Sequence, residues 1–194
     1  MTTLADILKS AGWFPAAFDG DYQSLKFAKL QRETLSNEAF LDQRMEHSIS
    51  AWESAPVSAV LQQAATLPAT PPAFIFHSAF CCSTLLARAL DVAGKSLALK
   101  EPDILMGLAN ALRVDSHGND PEKLITTIFG LLGRRFSADE SIVVKPTNAA
   151  NNLLRPAVQS GAPVLVLYGD LRSFLVSVLK KGEPCKAFVR TQYN

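Results

Sequence analysis

The chain has 194 residues, of which 48% are hydrophobic and 19% charged, and its formal net charge is +1. That suits one globular domain with a real core and excludes a disordered chain. The near-zero charge excludes a broad nucleic-acid or anionic-membrane surface, so any anion site must be local.

The opening stretch MTTLADILKSAGWF carries Asp6 early and has no basic segment ahead of an apolar run. No signal peptide is expected, and no later stretch is long enough to span a membrane. Three cysteines, two of them adjacent, make no disulfide framework, and a reducing cytoplasm is the expected location. There is no Cys-x-x-Cys pair, and His47, His77 and His117 are scattered, so no metal site is expected.

Residues 1–70 read as a helical extension. Apolar spacing predicts helices over 4–10, 22–30 and 37–46, with Ser36 as an N-cap and no strand. The run LPATPP, which closes residues 55–72, reads as a breaker-rich linker.

From residue 73 to the end the pattern alternates between strand and helix. Short apolar runs predict strands over 74–78, 96–100, 141–146 and 163–168. Helices follow each of them. Pro102 opens one through about Leu112. Asp120 and Pro121 supply an N-cap with proline at the first helical position for another, running to about Arg135. Pro156 kinks or splits a helix over 148–159, and LRSFLVSVLKK forms a last one that stops at Gly182. Strands this uniformly apolar are buried on both faces, which predicts an α/β fold with a mostly parallel four-stranded sheet covered by helices. No internal repeat is visible.

Such sheets bind ligands beyond the carboxyl ends of their strands. Those ends carry His77 to Ser83, Lys100-Glu101-Pro102, Lys145-Pro146-Thr147 and Tyr168-Gly169-Asp170. The loop after the first strand, FHSAFCCSTLLARAL, suggests three chemistries. A triphosphate loop of the form G-x-x-x-x-G-K-[ST] would place Ser83 where the lysine belongs, which argues against ATP or GTP hydrolysis. A cysteine phosphatase would use Cys82 and Arg88 as C-x5-R, but the residues between them read as helix and carry Arg88 away from the loop.

The third chemistry rests on a resemblance. The segment HSAFCCSTLLARAL resembles the 5′-phosphosulfate loop of the sulfotransferase superfamily, P-[RK]-S-G-T-T-x-L. Phe80 takes the basic position, Cys81 the serine, Cys82 the glycine, Ser83 and Thr84 the threonine pair, and Leu85 and Leu86 follow. LKEPDIL resembles the Arg-Glu-Pro segment of tyrosylprotein and related bacterial sulfotransferases, with Lys100 replacing the arginine and Glu101 on the catalytic base. VVKPTN resembles the lysine-containing third strand and brings Lys145. LYGDLRSFLVS resembles the 3′-phosphate segment R-[DN]-P-x-D-x-x-x-S. Ser177 falls on its serine and Gly169 on its arginine, and Arg172 is near enough to substitute.

The resemblance spans about 73–182 and implies a P-loop-like three-layer sandwich over 73–194, incomplete at its C-terminus. It implies 3′-phosphoadenosine-5′-phosphosulfate as cofactor, no metal, and an acceptor hydroxyl on a small molecule or peptide. Phe80, Cys81, Cys82, Ser83, Thr84, Leu85, Arg172 and Ser177 would bind the cofactor. Glu101 would be the base, and His77, Lys100 or Lys145 would supply the charge that Phe80 lacks. A non-catalytic P-loop-like module that binds a nucleotide or a protein is the alternative.

Overall fold

A computed structural model of the chain describes residues 2–113 and 120–191; His117 lies outside them. The fold is α/β, with two sheets on one continuous core. Among the described residues no helix is long and apolar enough to cross a membrane.

The N-terminal region is not simply helical. It opens with α1 (Leu4–Lys9), whose start is fixed by a reciprocal cap in which Thr3 and Asp6 each accept the other's backbone N–H. A three-stranded antiparallel sheet follows, made of β1 (Trp13–Phe18), β2 (Ser24–Lys29) and β3 (Trp52–Pro56) in that order. The helix expected over 22–30 is therefore strand β2. Leu25 and Phe27 are buried while Lys26 between them faces out, a period of two that ends at Ala28, which is also buried. The same segment also carries Ala28 and Leu30 at helical spacing from Leu25 and Phe27, so periodicity alone could not decide it.

The helix expected over 37–46 is likewise replaced, by α2 (Arg32–Asn37) and a 3-10 helix (Gln43–Ser48). Ser36 lies inside α2, and the side-chain cap is Asp42, which accepts from the Arg44 N–H at the start of the 3-10 turn. α3 (Val57–Ala64) completes the region.

The second sheet holds β4 (Ala73–His77), β5 (Ser96–Lys100), β6 (Ser141–Lys145) and β7 (Val164–Leu167). All its pairings are parallel, in the order β5-β6-β4-β7. The helices between them are α4 (Ser83–Ala89), α5 (Asp103–Arg113), α6 (Pro121–Leu132) and α7 (Leu154–Gln159). Asp120 caps α6 through the N–H groups of Glu122 and Lys123. The helix expected over 148–159 is a 3-10 turn (Asn148–Leu153) running into α7, so Pro156 sits within the first turn of α7, where its missing N–H costs nothing. α8 (Leu171–Lys180) ends before Gly182, and α9 (Glu183–Thr191) follows. β7 and α8 leave Leu165, Val166, Leu171, Leu175 and Leu179 exposed.

The stretch expected to be a linker is seated rather than free. Ala69 and Thr70 lie directly on α6 and the residue after it. A Cβ on Gly130 would stand 2.9 Å from the Ala69 side chain, and one on Gly133 only 1.9 Å from the Thr70 carbonyl oxygen. Beside this contact, Arg134, just after α6, reaches into the N-terminal region and donates to the carbonyls of Ile7, Leu8 and Trp13, and to the Leu131 carbonyl of α6. Among the described residues no carboxylate meets this guanidinium, and burial pushes its pKa down to about 9.

Candidate functional site

The four parallel strands end at one edge, and their last residues make the site. β4 ends in His77, which is buried and held on both ring nitrogens. Its Nδ1 accepts the Ala79 N–H at 3.1 Å, which leaves Nε2 to donate to the Pro146 carbonyl at 3.0 Å. Burial first, and the Lys145 ammonium second, hold its pKa below the ordinary value. His77 is thus a neutral brace between β4 and the residue after β6, and it supplies no charge. Asn151 adds to this brace by donating to the His77 carbonyl at 3.0 Å.

The loop from Ser78 to Cys82 departs from ordinary backbone. Ala79, Phe80 and Cys82 have φ of 61°, 51° and 62°, in the left-handed region that L-residues avoid. Cys82 is the N-cap of α4 but gives it no side-chain bond. Among the described residues, the N–H groups of Phe80, Cys81, Cys82, Ser83, Thr84 and Leu85 find no acceptor. Ser83 is buried, and its hydroxyl has no partner there either. A run of unpaired amides on a strand-to-helix turn with left-handed residues is an arrangement suited to an anion.

The loop is pinned to β7. The Ser78 N–H donates to the Leu167 carbonyl at 3.2 Å, the Cys81 thiol approaches the same carbonyl at 3.5 Å, and the Gly169 N–H donates to Ser78 Oγ at 3.3 Å. Phe80 turns toward α8, with its ring 5.6 Å from that of Phe174 and under the Lys181 ammonium at 4.5 Å. Lys181, absent from the expected set, therefore brings a cation to the loop where Phe80 has none. Arg88 lies exposed in the last turn of α4 and its charge reaches Lys100, so no cysteine–arginine phosphatase loop forms.

β5 and β6 contribute the ionised pair. Lys145 is 1% exposed, and its ammonium donates to Glu101 Oε1. Glu101 itself sits at φ 50°, and its N–H donates to the Lys145 carbonyl at 2.7 Å. Its side chain is 23% exposed, so the carboxylate faces both the buried lysine and solvent. Lys100 takes no part in this pair. Its buried ammonium turns back to the Leu35 and Ser36 carbonyls of α2 and lies 3.9 Å from Asp91.

The expected 3′-phosphate residues lie on α8. Asp170 caps that helix through the Ser173 N–H at 2.9 Å. Ser177 Oγ is used within the helix, donating to the Ser173 carbonyl at 2.9 Å. Arg172 is exposed in the first turn and has no partner among the described residues.

Beyond β5 the edge continues into the N-terminal region. The Leu41 N–H donates to the Lys100 carbonyl at 2.8 Å, and the Asp103 N–H donates to the Leu41 carbonyl at 3.0 Å. This places Asp42, its partner Arg44 and Asp103 beside Glu101, whose charge helps keep Arg44 protonated after the larger effect of the Asp42 bond. Asp42 and Arg44 carry no local sequence signal, because their neighbour is set by the docking of residues 41–44 on the strand edge. Among the described residues no group of His, Cys, Asp and Glu is arranged to hold a metal ion.

No family model, no curated protein and no solved structure matches the chain.

Proposed function

We propose that the protein is a sulfotransferase-like enzyme on a P-loop-like fold, moving a sulfuryl group to an acceptor hydroxyl. The observation that carries the reading is the Glu101–Lys145 pair, held at the ends of adjacent parallel strands beside a run of unpaired loop amides. The strand order adds support. The chain leaves β4 for β5 on one side, and β7 lies on the other, so the loop after β4 occupies the point where connections diverge. Open α/β sheets bind ligands at such points.

The donor set suits the sulfuryl end of 3′-phosphoadenosine-5′-phosphosulfate, with the amides of Cys82, Ser83 and Thr84 and the Ser83 and Thr84 hydroxyls for the 5′-phosphate. Among the described residues Arg172 has no partner, and its planar fork would suit the 3′-phosphate. That group, when bound, supplies a sulfur centre whose bond to the 5′-phosphate oxygen breaks as one to the acceptor oxygen forms. Glu101 accepts the acceptor's hydroxyl proton through its solvent-facing carboxylate oxygen. Lys145 fixes Glu101 in place and keeps a positive charge at the strand edge, where negative charge moves during transfer. Lys181 and the loop amides face the charge that builds on the leaving phosphate.

A non-catalytic nucleotide-binding module is the second reading. It is favoured by Phe80 in the family's basic position and by the turning of Lys100 toward α2. Adenosine 3′,5′-bisphosphate separates the cases. Both readings expect it to raise the melting temperature of the folded chain in line with mass action. Only the enzyme reading expects sulfuryl transfer that Glu101→Gln abolishes while binding is retained. No thermal shift at millimolar bisphosphate defeats both.

A further inference from the structure

A cleft of about 670 Å³ opens between the N-terminal sheet and the first turn of α5. It is lined among others by Lys26, Asp42, Glu46, Trp52, Glu53 and Asp103. Its size is that of a small-molecule site rather than an ion site. Trp52 is 48% exposed on its wall, which is uncommon for an indole with nothing to cover. The cleft adjoins the strand edge, because Asp103 follows Glu101 by two residues and its N–H is bound to Leu41.

Its charge is one-sided. Arg44 answers Asp42, which leaves Glu46, Glu53 and Asp103 against Lys26. Among the described residues no cation pairs with Asp103, and burial first, and the charge of Asp42 second, raise its pKa. The carboxylates are spread along the wall rather than gathered to chelate a metal. Dispersed acceptors beside a flat aromatic face suit a ligand with several hydroxyls, a C–H face and a positive charge.

We infer that this cleft is the acceptor site and that it takes a cationic polyhydroxyl compound, an amino sugar being the simplest member. The inference rests on the transfer reading for the word acceptor, but not for the binding. Anion donor and cationic acceptor then approach Glu101 from opposite ends of the strand edge, from the β4–β7 side and from beyond β5. The acidic wall keeps the sulfuryl donor out of the acceptor cleft.

The test uses the full chain and three probes that differ in charge: glucosamine, glucose and glucuronate. The chain has two tryptophans, Trp13 buried and Trp52 exposed, so two indole N–H resonances are expected, and Trp52→Phe identifies one. Glucosamine should shift the Trp52 signal, glucose should do so more weakly, and glucuronate should not. Asp103→Asn and, separately, Glu53→Gln should each weaken glucosamine about fivefold, the size expected for one partly exposed ion pair. Equal responses to all three probes, or a response only from Trp13, overturn the inference. Glucosamine binding without any bisphosphate stabilisation would keep the cleft and remove the transfer reading. Bisphosphate stabilisation with a silent Trp52 would do the reverse.

Discussion

Lys100 and Lys145 are register partners on the neighbouring parallel strands β5 and β6, both are buried, and their ammonium groups go to unrelated places. Lys145 meets Glu101 at the candidate site, while Lys100 meets two carbonyls of α2. Two residues that look equivalent in sequence thus face the candidate site and the N-terminal region separately. Lys100→Met should cost about 1–3 kcal/mol, the range for leaving buried acceptors without a donor. Chemical denaturation measures the loss, and bisphosphate affinity should stay at the wild-type value.

The Glu101–Lys145 pair should show strong coupling. Glu101→Gln leaves a buried ammonium short of its counter-ion, whereas Lys145→Met with Glu101→Gln removes both charges. Glu101 keeps some contact with water, so the coupling should be about 1–3 kcal/mol, below the range for fully buried pairs. A double-mutant cycle in urea gives the figure, and additive losses would mean that the pair contributes nothing.

Acid should weaken the fold through His77. Its folded pKa lies below the unfolded value of about 6.5, so the unfolded chain takes up the proton first as pH falls. Stability is unaffected above that pH and declines from there toward the lower folded value. Unfolding free energies at pH 7.5 and 5.5 should differ more in the wild type than in His77→Gln, whose amide can replace both bonds without titrating.

Backbone strain in the loop gives an opposite sign. Ala79 holds φ 61° with no side chain of consequence, so Ala79→Gly relieves the left-handed penalty. Allowing for the extra freedom of the unfolded glycine chain, a gain of about 0.5–1 kcal/mol is expected. A higher melting temperature accompanied by weaker bisphosphate binding would identify the strain as preorganisation of the anion loop.

The parallel sheet was legible because its strands are apolar runs between breakers, and the start of α6 because Asp120 and Pro121 are local signals. The first sheet was not. β1 is interrupted by a register shift near Pro15, β2 satisfies two periodicities, and β3 buries only Ala55. At the site, the strand-end rule brought Glu101 and Lys145 into view. It could not separate Lys145 from Lys100, because the carbonyls that claim Lys100 lie 64 and 65 positions away in sequence. Lys181 and the Asp42–Arg44 pair join the site only through tertiary approach.

Arg134 has a consequence for the order of events during synthesis. The carbonyls it satisfies on Ile7 and Leu8 precede it by 127 and 126 positions, and the seat for Ala69 and Thr70 is built from Gly130 and Gly133. On the ribosome the first antiparallel sheet emerges with its fastening still untranslated. Until Arg134 is out, the carbonyls of Ile7, Leu8 and Trp13 wait for their donor, and the emerging chain carries apolar surface that its later residues cover.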